Sequence, residues 1–246
     1  MIAITVEYKP FGFLWRRRIE TKLPARWSEM TRRQIVAIPE MQRGKLDDSK
    51  LLQIFLGIKK SVANRIGNYQ KYCILRNLKY IREPEAISMF IIKKIIGFKA
   101  PGNKLKGITF GAFIFGDTYY QNYIAGKKED LNRFIACFYY NKLGFKEKNI
   151  EMNAQLIGLI DLPTREAIAI NYGLIREWLA LAYPYVFRKA EEGKKHKSFT
   201  GWVGVFDAVV GDDIVNEDKY AEKPLSIILR YLNHKTKEYC KNGGKV

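Results

Sequence analysis

One acidic residue, Asp117, falls on the apolar face of the stretch 107–140, GITFGAFIFGDTYYQNYIAGKKEDLNRFIACFYY. A carboxylate there must be hydrogen-bonded or paired, because burying an isolated charge is very costly. Two chemistries suit it. One is a structural ion pair with an arginine such as Arg133 or Arg176, and we adopt that reading, with Asp117 as a structural buried charge. The other is a general acid of raised pKa, which needs a second group that the sequence does not set beside it. The chain has only two histidines, His196 in a charged stretch and His234 near the exposed end of the last helix. Neither has a partner at metal-ligand spacing, and the pattern HExxH is absent. The run Gly211-Asp212-Asp213 has the paired carboxylates of a magnesium-binding turn. It follows an apolar helix, however, and no second acidic motif accompanies it, so it reads as a capping turn. Gly126-Lys127-Lys128 lacks the upstream glycine and downstream hydroxyl of a phosphate loop. Cys73, Cys137 and Cys240 lie far apart and form no CxxC pair, so neither zinc nor redox chemistry is expected. Catalytic residues, cofactors and metals are all expected to be absent, and the chain is read as a non-enzyme.

The second chemistry is electrostatic. The net charge is +18, unevenly spread: residues 1–140 hold 26 Lys and Arg against 11 Asp and Glu. Within them, 59–106 holds 12 basic residues against 2 acids. Such a field attracts nucleic acid, an anionic membrane or an acidic protein; plain solubility on a lysine-rich chain also accounts for it and is the reading preferred on charge alone. Tyr69, Tyr72 and Tyr80 alternate with Lys71, Arg76 and Lys79, a pattern that can stack bases and contact phosphates if it shares one exposed face. The candidate contacts to nucleic acid or an acidic partner are Arg16, Arg17, Arg18, Lys59, Lys60, Arg65, Lys71, Arg76 and Lys79. Tyrosines 72 and 80 are as easily read as core residues. No helix-turn-helix, RNP or zinc-finger pattern occurs.

The elements that would hold these groups are mostly helical. The fold class expected is mainly α, a multi-helix globular domain with a small N-terminal β-hairpin. Residues 2–8 alternate in the β manner, and 11–19, with Arg16-Arg17-Arg18, can pair with them across Pro10 and Gly12. Ser28 or Thr31 can cap a helix that Pro39 ends or kinks. Asp47-Asp48-Ser49 caps an amphipathic helix over Leu51, Leu52, Phe55 and Ile58, and 72–80 is also helical. FIIKKIIGF, 90–98, is apolar on most sides and reads as a packed internal helix or strand. The loop 100–106, APGNKLK, is the best internal boundary. In 107–140, Thr109 caps a helix with Phe110, Phe113, Ile114, Tyr120 and Ile124 inward. After Gly126 a second helix, capped by Asp130, carries Leu131, Phe134, Ile135 and Phe138. Residues 141–153 read as polar and exposed. Asp161 with Pro163 starts a long helix bearing Ile168, Tyr172, Ile175, Trp178, Leu179 and Ala182 towards a core. A charged linker over 188–198 precedes a short helix with Trp202, Phe206 and Val209 aligned, and Pro224 opens the last helix. This gives three regions: 1–100, 101–187 and 188–246, or all one domain.

Mean hydropathy is −0.24, and 47% of residues are hydrophobic, enough for a sizeable core. The apolar runs 87–92 and 168–182 are broken by polar or charged residues, short of the ~20 a spanning helix needs. No basic segment precedes an apolar one at the N-terminus, so a cytoplasmic protein without a signal peptide or membrane span is expected.

Four stretches together resemble a group of tailed-bacteriophage and prophage proteins encoded among tail genes. They are LPARWSEMTRRQIVAI at 23–38, the aromatic hairpin of 107–140, TREAIAINYGLIREWLALAYPYVF at 164–187, and GWVGVFDAVVGD with KPLSIILRYLNHKTKEY over 201–239. They cover somewhat under half of the chain, in a similar order, mostly through packing and capping residues. The resemblance implies a virion or tail-assembly factor working through contacts with other phage structural or assembly proteins, in the host cytoplasm or the virion. It brings no site residue with it. The alternative is a basic nucleic-acid-binding accessory protein of a phage or mobile element.

Overall fold

The computed structural model describes residues 1–10, 15–187 and 201–242. The chain forms two compact units, Met1–Ile87 and Ser88–Val246.

In the first unit, β1 (Ile2–Tyr8) and β2 (Arg17–Leu23) pair antiparallel, from Ile2 opposite Leu23 to Tyr8 opposite Arg17. β2 therefore starts at Arg17, and residues 11–14, read as part of the second strand, lie outside the described residues. The alternation works as the pleat demands: Val6 and Leu23 are fully buried, whereas Ala3 and Thr5 face outward. Of the two cap candidates, Thr31 starts α1 (Arg32–Gln42) in a reciprocal box, its hydroxyl taking the Gln34 N–H and the Gln34 side chain taking the Thr31 N–H. Pro39 does not end this helix. Its missing N–H removes one bond from the ladder, yet α1 continues past its buried ring to Gln42. The Gln34 amide also donates to the Phe55 carbonyl, 2.9 Å away, tying α1 to α2 (Asp48–Leu56). Asp47 caps α2, and Gly57 closes it in the left-handed region. The short α3 (Lys60–Ala63) leads to α4 (Asn68–Leu75), which tightens into a 3-10 helix over Arg76–Arg82.

The second unit opens irregularly. The expected helix or strand over FIIKKIIGF is instead a tight hairpin of β3 (Lys94–Ile95) and β4 (Phe98–Lys99). Ile96 and Gly97 both take positive φ between them, the backbone a two-residue hairpin turn requires. The irregular backbone before it is held by Asn171, whose side chain accepts from the Ile91 N–H at 2.6 Å and donates to the Met89 carbonyl at 3.1 Å. The loop 100–106 lies inside this unit rather than between units. Lys99, just before it, bridges to Tyr140, which fastens the hairpin to the end of the aromatic stretch.

That stretch forms α5 (Phe110–Ile124) and α6 (Asp130–Phe138). Phe110, Phe113, Ile114 and Tyr120 point inward, whereas Ile124, at the hairpin end, is exposed. Asp130 is the first residue of α6, not its cap, and it pairs with Arg133. Gly116 lets the two helices approach: a Cβ there would overlap the ring of Phe138. Within the segment read as polar and exposed, α7 (Ile150–Gly158) begins, burying Ile150, Ala154 and Ile157. The long α8 (Leu162–Ala182), capped by Asp161, brings Ile168, Tyr172, Ile175 and Leu179 against the same core. Residues 188–200, read as a charged linker, lie outside the described residues. Then follow α9 (Gly201–Val210), α10 (Glu217–Ala221) and α11 (Leu225–Lys241). The fold is mainly α with an N-terminal two-stranded hairpin. Among the described residues no helix is long and apolar enough to cross a membrane.

Candidate functional site

Asp117 lies at the centre of the second unit, only 1% exposed. Two helices bring donors to it. From α8, Tyr172 and Arg176 stand one turn apart on the same face, so both reach Oδ1: the Tyr172 hydroxyl at 2.9 Å and Arg176 Nε at 2.9 Å. From α9, the Trp202 indole N–H donates to Oδ2 at 2.7 Å. One turn on from Asp117 along α5, the Gln121 amide oxygen, when turned toward Arg176, accepts from its guanidinium at 2.8 Å. The guanidinium also lies 5.8 Å from the Tyr120 ring centroid. Around them pack Phe134 and Phe138 against Tyr172, and Phe113 edge-on to Trp202 at 4.8 Å.

The electrostatics follow from this geometry. Burial pushes the Tyr172 hydroxyl well above its ordinary pKa, and the neighbouring Asp117 charge adds to it. The phenol is held as a donor. Tyr120 is also raised, chiefly by burial, with Arg176 opposing. Three donors, one of them cationic, meet one carboxylate. The cluster joins α5, α8 and α9 through a charge that is neutralised and hydrogen-bonded inside the core. Of the two arginines named for the pair, Arg176 makes it. Arg133 instead bridges Asp130 and Glu151, each at 2.8 Å. The two aromatic donors were legible only in part: Trp202 and Tyr172 read as apolar core positions, and their polar ends were missed.

The predicted basic contacts divide three ways. Arg16 and Arg18 share one carboxylate, Glu7, at 3.6 and 2.8 Å, and Arg17 is exposed at the start of β2. Lys59, Lys60 and Arg65 are exposed around α3, and Lys71 turns to Ser49, with a bond of 2.8 Å. Arg76 and Lys79 are exposed on the same side of the α4 region as Tyr69 and Tyr72, which are 82% and 63% exposed. Neither tyrosine is a core residue. Tyr80 is half-buried, packing edge-on to Trp27, and burial raises its pKa. Arg82, not singled out in the sequence, joins the exposed set.

Among the described residues no group of three or more His, Cys, Asp or Glu is placed to hold a metal ion. At the Gly-Asp-Asp turn, Gly211 takes positive φ and Asp213 accepts from Asn216 at 2.8 Å and Tyr220 at 3.2 Å. His196 lies outside the described residues, and His234 is exposed, 3.4 Å from Glu238 on the same helix. No family model, curated protein or solved structure matches this chain.

Proposed function

We propose that this chain is a non-enzymatic assembly or structural protein of a tailed bacteriophage, tail-related, that acts through protein–protein contacts. The observation that carries the reading is an apolar stripe on the outer side of α7. Met152, Leu156 and Leu159 recur at helical spacing and are 55%, 41% and 77% exposed, and Leu162 follows at the start of α8, 45% exposed. Scattered exposed leucines need no explanation, but a stripe aligned on one face is the kind of surface that a second protein covers. The sequence resemblance to tail-gene products supplies the kind of partner: another phage structural or assembly protein, met in the host cytoplasm during particle assembly.

The test is co-purification of the full chain with neighbouring gene products from phage-producing cells, beside a Leu156→Glu/Leu159→Lys variant. Both side chains are exposed, so the variant should fold, which circular dichroism checks. Recovery of tail proteins by the wild type and their loss from the variant supports the reading. Recovery of no structural protein, or equal recovery by both forms, overturns it.

A further inference from the structure

The first unit carries 18 Lys and Arg against 8 Asp and Glu, and its α4 region concentrates that excess on one line. Tyr69 and Tyr72 of α4 and Arg76, the residue that caps it, lie at i, i+3 and i+7, on one face. At Arg76 the chain tightens to a 3-10 helix, in which residues three apart eclipse one another. Arg76, Lys79 and Arg82 therefore continue the same line, and all three are exposed. The opposite face, with Ile74, Leu78 and Ile81, is buried and anchors the segment. At rises of about 1.5 Å and about 2.0 Å per residue, the line from Tyr69 to Arg82 spans about 22 Å. Among the described residues, no ion pair joins Arg76, Lys79 or Arg82 to a carboxylate, in contrast to Arg16 and Arg18, which share Glu7.

We propose that this line is a binding surface for single-stranded nucleic acid, with Tyr69 and Tyr72 stacking bases and Arg76, Lys79 and Arg82 tracking the phosphates. The charge selects a polyanion. The two exposed phenol rings at the end of the cationic line select one whose bases are open, because paired bases offer no free face to stack upon. An acidic protein would be met by the charges alone and would leave the rings unexplained. Glu83 ends the line, so the strand is expected to leave past Arg82 rather than continue along the chain. The inference concerns a surface in the first unit and stands independently of the assembly reading, which rests on α7.

Fluorescence anisotropy of the full chain with a labelled 20-nucleotide oligothymidylate, and with a duplex of equal length, tests it. The wild type should bind the single strand with Kd of about 10⁻⁴–10⁻⁶ M at physiological salt. Tyr69→Ala/Tyr72→Ala should weaken that binding on the order of tenfold or more, while leaving duplex binding unchanged. Tyr69→Phe/Tyr72→Phe should restore it, since phenylalanine keeps the stacking ring. Arg76→Gln/Lys79→Gln should reduce the slope of log K against log salt by about 1.4, roughly 0.7 for each phosphate no longer neutralised. An alanine pair that binds like wild type, a preference for the duplex, or no oligonucleotide binding at low salt would each overturn the proposal. A mis-folded alanine pair leaves the decision with the phenylalanine pair and the salt slope: an unchanged slope overturns it, and a reduced slope supports it.

Discussion

Two tyrosine–arginine pairs with the same spacing meet opposite fates in this molecule. Tyr172 and Arg176 on α8 turn inward and converge on Asp117, while Tyr72 and Arg76 in the α4 region stand exposed. The helix geometry is the same in both. What differs is what faces them: in the second unit a carboxylate on α5 and an indole N–H from α9 complete a hydrogen-bonded set, so a charge can be held in the core. In the α4 region the inward face is already filled by Ile74, Leu78 and Ile81, and the polar groups remain in solvent. Burial of a polar side chain is thus a property of its partners more than of its type.

The largest effect is expected from breaking the inner set. Asp117→Leu should cost about 3–5 kcal/mol, because it strands the buried Tyr172 and Trp202 donors and uncouples Arg176. With an ion pair alone, replacing Arg176 as well should nearly cancel the loss. Two further donors are present here, so Asp117→Leu/Arg176→Met should remain clearly destabilised in chemical unfolding. A double variant as stable as wild type would show that the aromatic donors contribute little.

Next comes the close approach of α5 to α6 at Gly116, the residue before Asp117. Gly116→Ala puts a methyl against the Phe138 ring and should cost about 1–3 kcal/mol, despite alanine's better helix propensity. A neutral or stabilising result in thermal unfolding would mean that Phe138 shifts freely.

Tyr172→Phe removes one donor and should cost about 1 kcal/mol near neutral pH. It also predicts a pH dependence. The folded-state pKa of Tyr172 is raised, so the native state holds its proton where the unfolded chain loses it, and its contribution is lost as pH rises above about 10. Wild-type stability should fall above that pH, and Tyr172→Phe should flatten part of the fall. An unchanged slope would mean that other tyrosines carry it.

The outer pair gives the smallest effect on stability. Tyr69→Ala/Tyr72→Ala should change it by no more than about 0.5 kcal/mol. Thiol labelling sharpens the same contrast: Cys73, exposed in α4, should react promptly in the native protein. Cys137, buried in α6 with its thiol pKa pushed up by burial, should react only on unfolding. Equal rates for the two would erase the difference between the regions.

The elements whose signals are local follow from the order of amino acids alone. Thr109 and Asp161 cap their helices, the period of Phe110, Phe113 and Tyr120 sets the inner face of α5, and alternation marks the strand Ile2–Tyr8. That Asp117 requires a partner follows in the same way, from the cost of burying charge. Long-range packing settled the rest. It chose Arg176 over Arg133, because Arg133 stands beside Asp130 and Glu151. It folded Ile95 and Phe98 into a hairpin, because the turn of Ile96 and Gly97 and the bridge from Lys99 to Tyr140 outweigh the apolar run's weak local preference. It left Tyr72 outside and drew Tyr172 inside. A short-range pattern fixes which side chains share a helix face, but whether that face meets solvent or a set of matching donors depends on residues 55 and 85 positions away, as Tyr172 and Trp202 are from Asp117.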